Sequence, residues 1–133
     1  MDPAFQTRIL DVLKRYPSVE LAIVYGSFAR GAEKAGSDLD LAIAGGLPFD
    51  AEFKVSLMND LSLALKREID LIDLSQASGT VLKEAMCKGV VILNRDHLRY
   101  AHILTRMLLD EEDFQKGRAR LMKQRRKKAF DVA

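Results

Sequence analysis

A chain of 133 residues, 48% of them apolar, carries material for one hydrophobic core and too little for two ordinary domains. Apolar runs such as Leu21–Tyr25 and Val90–Leu93 fall far short of the roughly 20 residues that span a bilayer, and the polar amphipathic N-terminus lacks the pattern of a secretory signal. A single cysteine, Cys87, excludes an internal disulfide and a multi-cysteine zinc site and fits a reducing compartment, so a cytoplasmic location without membrane contact is expected.

Residues 3–15 place Phe5, Ile9, Val12 and Leu13 at helical spacing behind Asp2-Pro3, a capping acid and a first-turn proline. Tyr16-Pro17-Ser18 ends that helix, and residues 19–25 form an apolar, β-rich run that stops at Gly26-Ser27, the pattern of a buried strand followed by a tight turn. A turn or short helix covers 28–33, and a second strand follows over 37–44, closed by Gly45-Gly46 and Pro48. Phe53, Leu57, Leu61, Ala64 and Leu65 give residues 50–67 a helical face. A third strand is expected over 68–74, a helix over 81–88 with Gly89 as its stop signal, and a fully apolar fourth strand over 90–93. Beyond a possible Asp96 cap, a helix runs through Leu98, Ala101, Ile103, Leu104, Met107 and Leu108. The expected fold is α/β (α+β), a small mixed sheet of about four strands flanked by helices, with residues 1–95 as the main domain and 96–133 as C-terminal helices with a basic tail.

That tail holds the charge asymmetry. Residues 1–95 carry 11 Lys+Arg against 13 Asp+Glu, a balance of −2, whereas residues 96–133 carry 10 against 6, a balance of +4. Eight basic residues and no acidic one lie between Lys116 and Lys128. Such a run repels itself unless an anionic surface lies beside it; a solvated end, an acidic protein partner and RNA all fit it, RNA being the less favoured partner.

The chemistry is concentrated between Gly26 and Asp40. A Gly-Ser turn at a strand end is followed after ten residues by Asp38-Leu39-Asp40 opening the next strand. Alternate strand residues share a face, so the two carboxylates stand about 7 Å apart at the backbone and repel unless a cation lies between them. Mg²⁺ suits them, because it takes one or two protein carboxylates and completes its octahedron with water and phosphate oxygens. Gly26 admits a phosphate close to the backbone, and Ser27 offers a hydroxyl and turn N–H groups. The third strand offers a further ligand from Asp70 or Asp73, which face opposite sides. Asp70, an acid between Ile69 and Leu71 in the strand interior, is the candidate that needs a partner; Asp73 reads as a solvated acid near the strand end.

Gly-Ser, ten residues, Asp-x-Asp resembles the signature of the DNA polymerase beta-like nucleotidyltransferase superfamily, and Gly26–Gly31 resembles its form in the minimal nucleotidyltransferase branch. Ile69–Leu74 is similar to that branch's third strand, so the resemblance covers about residues 19–93. It implies that Gly26 and Ser27 hold the triphosphate of ATP. It further implies that Asp38 and Asp40 bind two Mg²⁺ ions and that Asp70 is the third metal ligand and helps deprotonate the acceptor. Arg30 and Ser37 join the nucleotide-binding candidates, although Arg30 and Lys34 read equally as solvated loop charges. The resemblance also implies an antitoxin that silences a HEPN RNase toxin by transferring AMP to a tyrosine of it. Two other classes fit the same residues: a non-catalytic antitoxin that acts by binding, and an enzyme that modifies a small molecule. His97 and His102 lack acidic partners at metal spacing. Met58, Met86, Met107 and Met122 fit helix core faces, Cys87 is expected only to pack, and Tyr25 is expected in the core or pocket wall.

Overall fold

The computed structural model describes residues 1–34 and 36–110. Helix α1 (Pro3–Leu13) is followed by strands β1 (Leu21–Tyr25) and β2 (Leu39–Ala44), helix α2 (Ala51–Leu65), strand β3 (Ile69–Asp73), helix α3 (Gly79–Lys88) and strand β4 (Val90–Asn94). A fourth helix, α4, covers 97–110. The sheet order is β3-β2-β1-β4. β1 pairs antiparallel with β2 and β4, while β2 and β3 run parallel, which makes the sheet mixed as expected. The basic tail and Met122 lie outside the described residues. Among the described residues no helix is long and apolar enough to cross a membrane.

The helix starts follow from local chemistry. Asp2 Oδ1 accepts the Ala4 N–H at 3.0 Å, Asp50 Oδ1 the Phe53 N–H at 2.8 Å, and Asp96 Oδ1 the Leu98 N–H at 3.0 Å, each supplying a partner to a donor that the first turn leaves orphaned. Helices then cover both faces of the sheet. On one face Phe5, Ile9 and Val12 of α1 and Leu57 and Leu61 of α2 pack on Ala22, Val24, Leu39, Leu41 and Ile43. On the other, Leu82 and Ala85 of α3 and Ile103 and Met107 of α4 pack on Leu21, Ile23, Ala42 and Ala44. β1 is therefore buried along its whole length, which explains its uninterrupted apolar run.

Several helical faces differ from the periodicity reading. Ala64 is exposed on α2; on α4, Leu98 is 80% exposed and Ala101 and Leu108 also face outward, while Tyr100, Ile103, Leu104 and Met107 turn inward. Leucines fit either side of a helix end, so spacing alone does not choose the stripe. β4 is an edge strand and leaves Val90 and Val91 partly exposed. Between Ala22 and Ile23 its register slips, and Ile92 and Leu93 both pack on the α1/α2 side, the signature of a bulge. Gly89 does stop α3, but with φ −76° and not in the left-handed region. What requires glycine there is space: a Cβ would lie 3.1 Å from the Val24 carbonyl oxygen and closer still to the Ala85 carbonyl and Ile23 Cγ2. Cys87 is exposed, with its thiol 3.9 Å from Met107 Sδ.

Candidate active site

Leu39, Leu41 and Ile43 point into the α1/α2 core, so strand alternation turns Asp40, Ala42 and Ala44 to the α3/α4 face. Asp38 stands just before β2 and is exposed. The parallel register places Asp40 beside Asp70, and the antiparallel register places Asp40 beside Tyr25. Three neighbouring strands thus present Tyr25, Asp40 and Asp70 side by side at one end of the sheet.

The electrostatics record this crowding. Asp40 has its pKa raised by burial first, then by the charge of Asp70, by hydrogen bonding with Asp70 and by the charge of Asp38, with Arg30 offsetting part. The Tyr25 phenol is pushed up to about 12 by burial and by Asp70, Asp40 and Glu84. A cation relieves this repulsion. Among the described residues no three His, Cys, Asp or Glu side chains converge tightly enough to hold an ion alone. A carboxylate pair that leaves the remaining positions to water and phosphate oxygens is nevertheless the donor set Mg²⁺ accepts.

Gly26 closes the site from the β1 end. Its φ is +70°, and a Cβ there would lie 3.1 Å from Asp40 Cγ with Oδ2 closer still. The turn consequently approaches the carboxylate as only glycine allows. Beyond it the chain folds tightly, with Arg30 N–H donating to the Gly26 carbonyl at 3.2 Å and Ala32 N–H to that of Ser27 at 2.9 Å. Phe28 is buried and stacks on Phe5 with centroids 5.0 Å apart, anchoring the loop while Ser27 and Arg30 remain accessible. Arg30 Nη1 pairs with Glu84 Oε1 of α3 at 3.0 Å, so it stands at the mouth of the acidic site and is not a free loop charge. The Ser37 hydroxyl accepts the Lys34 N–H at 2.7 Å, a loop-closing role.

Asp73 corrects the reading from sequence. It is 5% exposed, and its carboxylate accepts the Phe49 N–H at 2.8 Å, the Ser75 N–H at 2.9 Å and the Ser75 hydroxyl at 2.7 Å. The chain after β2 and the chain after β3 both turn over this acid, so it fixes two loops instead of reaching solvent. Asp70, on the opposite face, is exposed, and its neighbour is another acid. His97 and His102 are exposed, with His97 Nδ1 3.2 Å from Asn94 Nδ2. Phe28, Arg67 and Glu84 were not singled out from sequence. The one available signal was Phe28, an aromatic residue within a turn of small and charged residues.

Residues 7–98 match the family described as polymerase beta, nucleotidyltransferase. The chain is 27% identical over 85 residues to the protein adenylyltransferase MntA of Shewanella oneidensis strain MR-1, an alignment spanning 63% of this chain and 61% of that relative's length. A crystal structure of a toxin–antitoxin with AMP-PNP superposes with a TM-score of 0.72 at 22% identity, covering 90% of this chain and 96% of the other. An MNT antitoxin in complex with a tri-AMPylated Shewanella oneidensis HEPN toxin gives 0.68 at 20% identity, covering 93% and 98%. With the family matched across more than two thirds of its length, the chain belongs to the polymerase beta nucleotidyltransferases.

Proposed function

We propose that this protein transfers AMP from ATP to a tyrosine of a HEPN-type toxin in a divalent-metal-dependent reaction, and so acts as an antitoxin. The observation that carries the reading is the apposition of Gly26 with Asp40, which sets a glycine turn directly against a carboxylate with Asp70 beside it and Asp38 before it. The adenylyltransferase relative and the tri-AMPylated HEPN toxin held by a similarly folded antitoxin support the choice of AMP and of a protein acceptor.

In this reading the Gly26-Ser27 turn receives the triphosphate through its N–H groups and the Ser27 hydroxyl, and Arg30 adds a positive charge at the mouth. Asp38 and Asp40 would hold the divalent ions, two by this reading, and bound there they would supply positive charge opposite the α-phosphate and the leaving pyrophosphate. Asp70 accepts the proton of the acceptor hydroxyl, whose oxygen forms the new bond to the α-phosphorus as the bond to the β-phosphate oxygen breaks and pyrophosphate departs. Positioning and electrostatics supply most of the acceleration.

Labelled ATP with the cognate partner tests this. Asp38→Ala and Asp40→Ala are expected to abolish label transfer while circular dichroism stays native, and a substantial residual rate in either contradicts the assignment.

A further inference from the structure

We infer that Arg67 is a positioning residue that holds Asp38 in place from behind the site. Arg67 lies between the end of α2 and β3, remote in sequence from the Gly26–Asp40 segment, yet its guanidinium closes on that segment in two ways. Its carbon lies 5.0 Å from the centre of the Phe28 ring and 5.8 Å from that of Phe5. Its Nη1 donates to the Ser37 carbonyl at 3.1 Å and to the Lys34 carbonyl at 3.4 Å. The next residue completes the bracket, because the Glu68 carbonyl accepts the Leu39 N–H at 2.9 Å. Asp38 is therefore flanked on both sides by bonds to the same dipeptide, Arg67-Glu68.

The chemistry of the guanidinium explains why one side chain does both jobs. A planar fork directs several N–H donors toward carbonyls in its own plane while its faces stay available to aromatic rings. Phe28 in turn anchors the turn that carries Ser27, so Arg67 joins the phosphate-receiving turn to the start of the carboxylate strand. Asp38 is exposed, and among the described residues no hydrogen bond or ion pair fixes its carboxylate. Its placement comes from the backbone, and Arg67 holds that backbone. Without the guanidinium, the Ser37 and Lys34 carbonyls lose a donor and the segment before Asp38 loses its tie to the α2–β3 connection, while neither core cluster loses a member.

This inference rests on the nucleotidyl-transfer reading of Asp38, Asp40 and Asp70, and its test separates the two. Binding of AMP-PNP to the full chain is titrated against Mg²⁺ in wild type, Arg67→Ala and Arg67→Lys. Leu57→Val, a change in the α2 core, serves as a control for simple destabilisation. The expected result is a half-saturating Mg²⁺ concentration raised about 10-fold or more in Arg67→Ala, partly restored in Arg67→Lys and unchanged in Leu57→Val. Hydrogen exchange of the metal-free protein is expected to speed up at the Leu39 amide in Arg67→Ala while the Ile23 amide in β1 is unaffected. An Arg67→Ala protein that binds Mg²⁺ and AMP-PNP like wild type, or that keeps the Leu39 amide protected, overturns the positioning role. A wild-type protein that binds no AMP-PNP with Mg²⁺ overturns the functional reading and this assignment with it.

Discussion

Replacing Gly26 by alanine separates the site's chemistry from the stability of its scaffold. The backbone at Gly26 has φ +70°, a left-handed conformation that costs an L-residue about 1–2 kcal/mol. The added methyl also stands 3.1 Å from Asp40 Cγ, with Oδ2 nearer. Restoring van der Waals separation to Oδ2, the nearer atom, moves that oxygen by about 1 Å or more. Asp40 is the end of a side chain at the mouth of a site, so it yields and the core does not. The stability loss therefore stays near the backbone term, and the Tm falls by roughly 3–10 °C for a domain of this size. Catalysis suffers far more, because a displacement of about 1 Å in a reacting constellation costs on the order of 10²-fold. Thermal unfolding by circular dichroism and initial rates of label transfer from ATP to the partner, at a temperature where both proteins are folded, measure the two effects. A Gly26→Ala protein with a near-wild-type rate refutes the claim that this turn and Asp40 form one site. So does a rate that falls only in proportion to the folded fraction.

Asp40 gives a pH prediction. Burial and the neighbouring Asp70 raise its pKa above the ordinary 3.8, so in that window the folded state binds more protons than the unfolded state. The metal-free protein then loses stability as pH rises through the raised value, and Asp40→Asn removes that loss. The expected outcome is a metal-free Tm at pH 7 that is higher in Asp40→Asn than in wild type, with transfer abolished; a lower Tm contradicts it. Asp70→Asn is expected to cut transfer by about 10² or more, and because the charge of Asp70 helps raise the Asp40 pKa, the metal-free Tm at pH 7 is expected to rise slightly and not to fall. Asp73→Asn is expected to do the reverse. It replaces an acceptor of three hydrogen bonds with an amide that sets a donor against a donor, for about 1–3 kcal/mol in urea unfolding, and leaves the rate per folded molecule within a few-fold of wild type.

The order of elements was legible because each carries a local cause. Asp2, Asp50 and Asp96 cap helices that begin directly after them, and β1 reads as an apolar run because helices cover both of its faces. The opposed faces of Asp70 and Asp73 also followed from alternation alone. Burial did not. Asp73 is enclosed because the loop from Gly45 to Phe49 folds over the end of β3, a tertiary event with no signature in the strand itself. Leu98 and Leu108 face outward because the contacts of α3 and β1 with α4 select a stripe through Ile103 and Met107. Arg67 stayed hidden for the same reason: its partners lie about 30 residues earlier in the chain, and one arginine after a helix is indistinguishable in sequence from a solvated charge.

In the proposed reaction Asp38, Asp40 and Asp70, closed in by the Gly26-Ser27 turn, move AMP from ATP to a tyrosine of a HEPN-type partner. The most direct test is intact-mass spectrometry of the cognate partner after incubation with this protein, ATP and Mg²⁺, with peptide mapping of any modified species. AMP-sized mass increments confined to a tyrosine peptide, and absent with Asp38→Ala, are the predicted result. A partner that keeps its unmodified mass while it is neutralised in a stoichiometric complex would contradict the account.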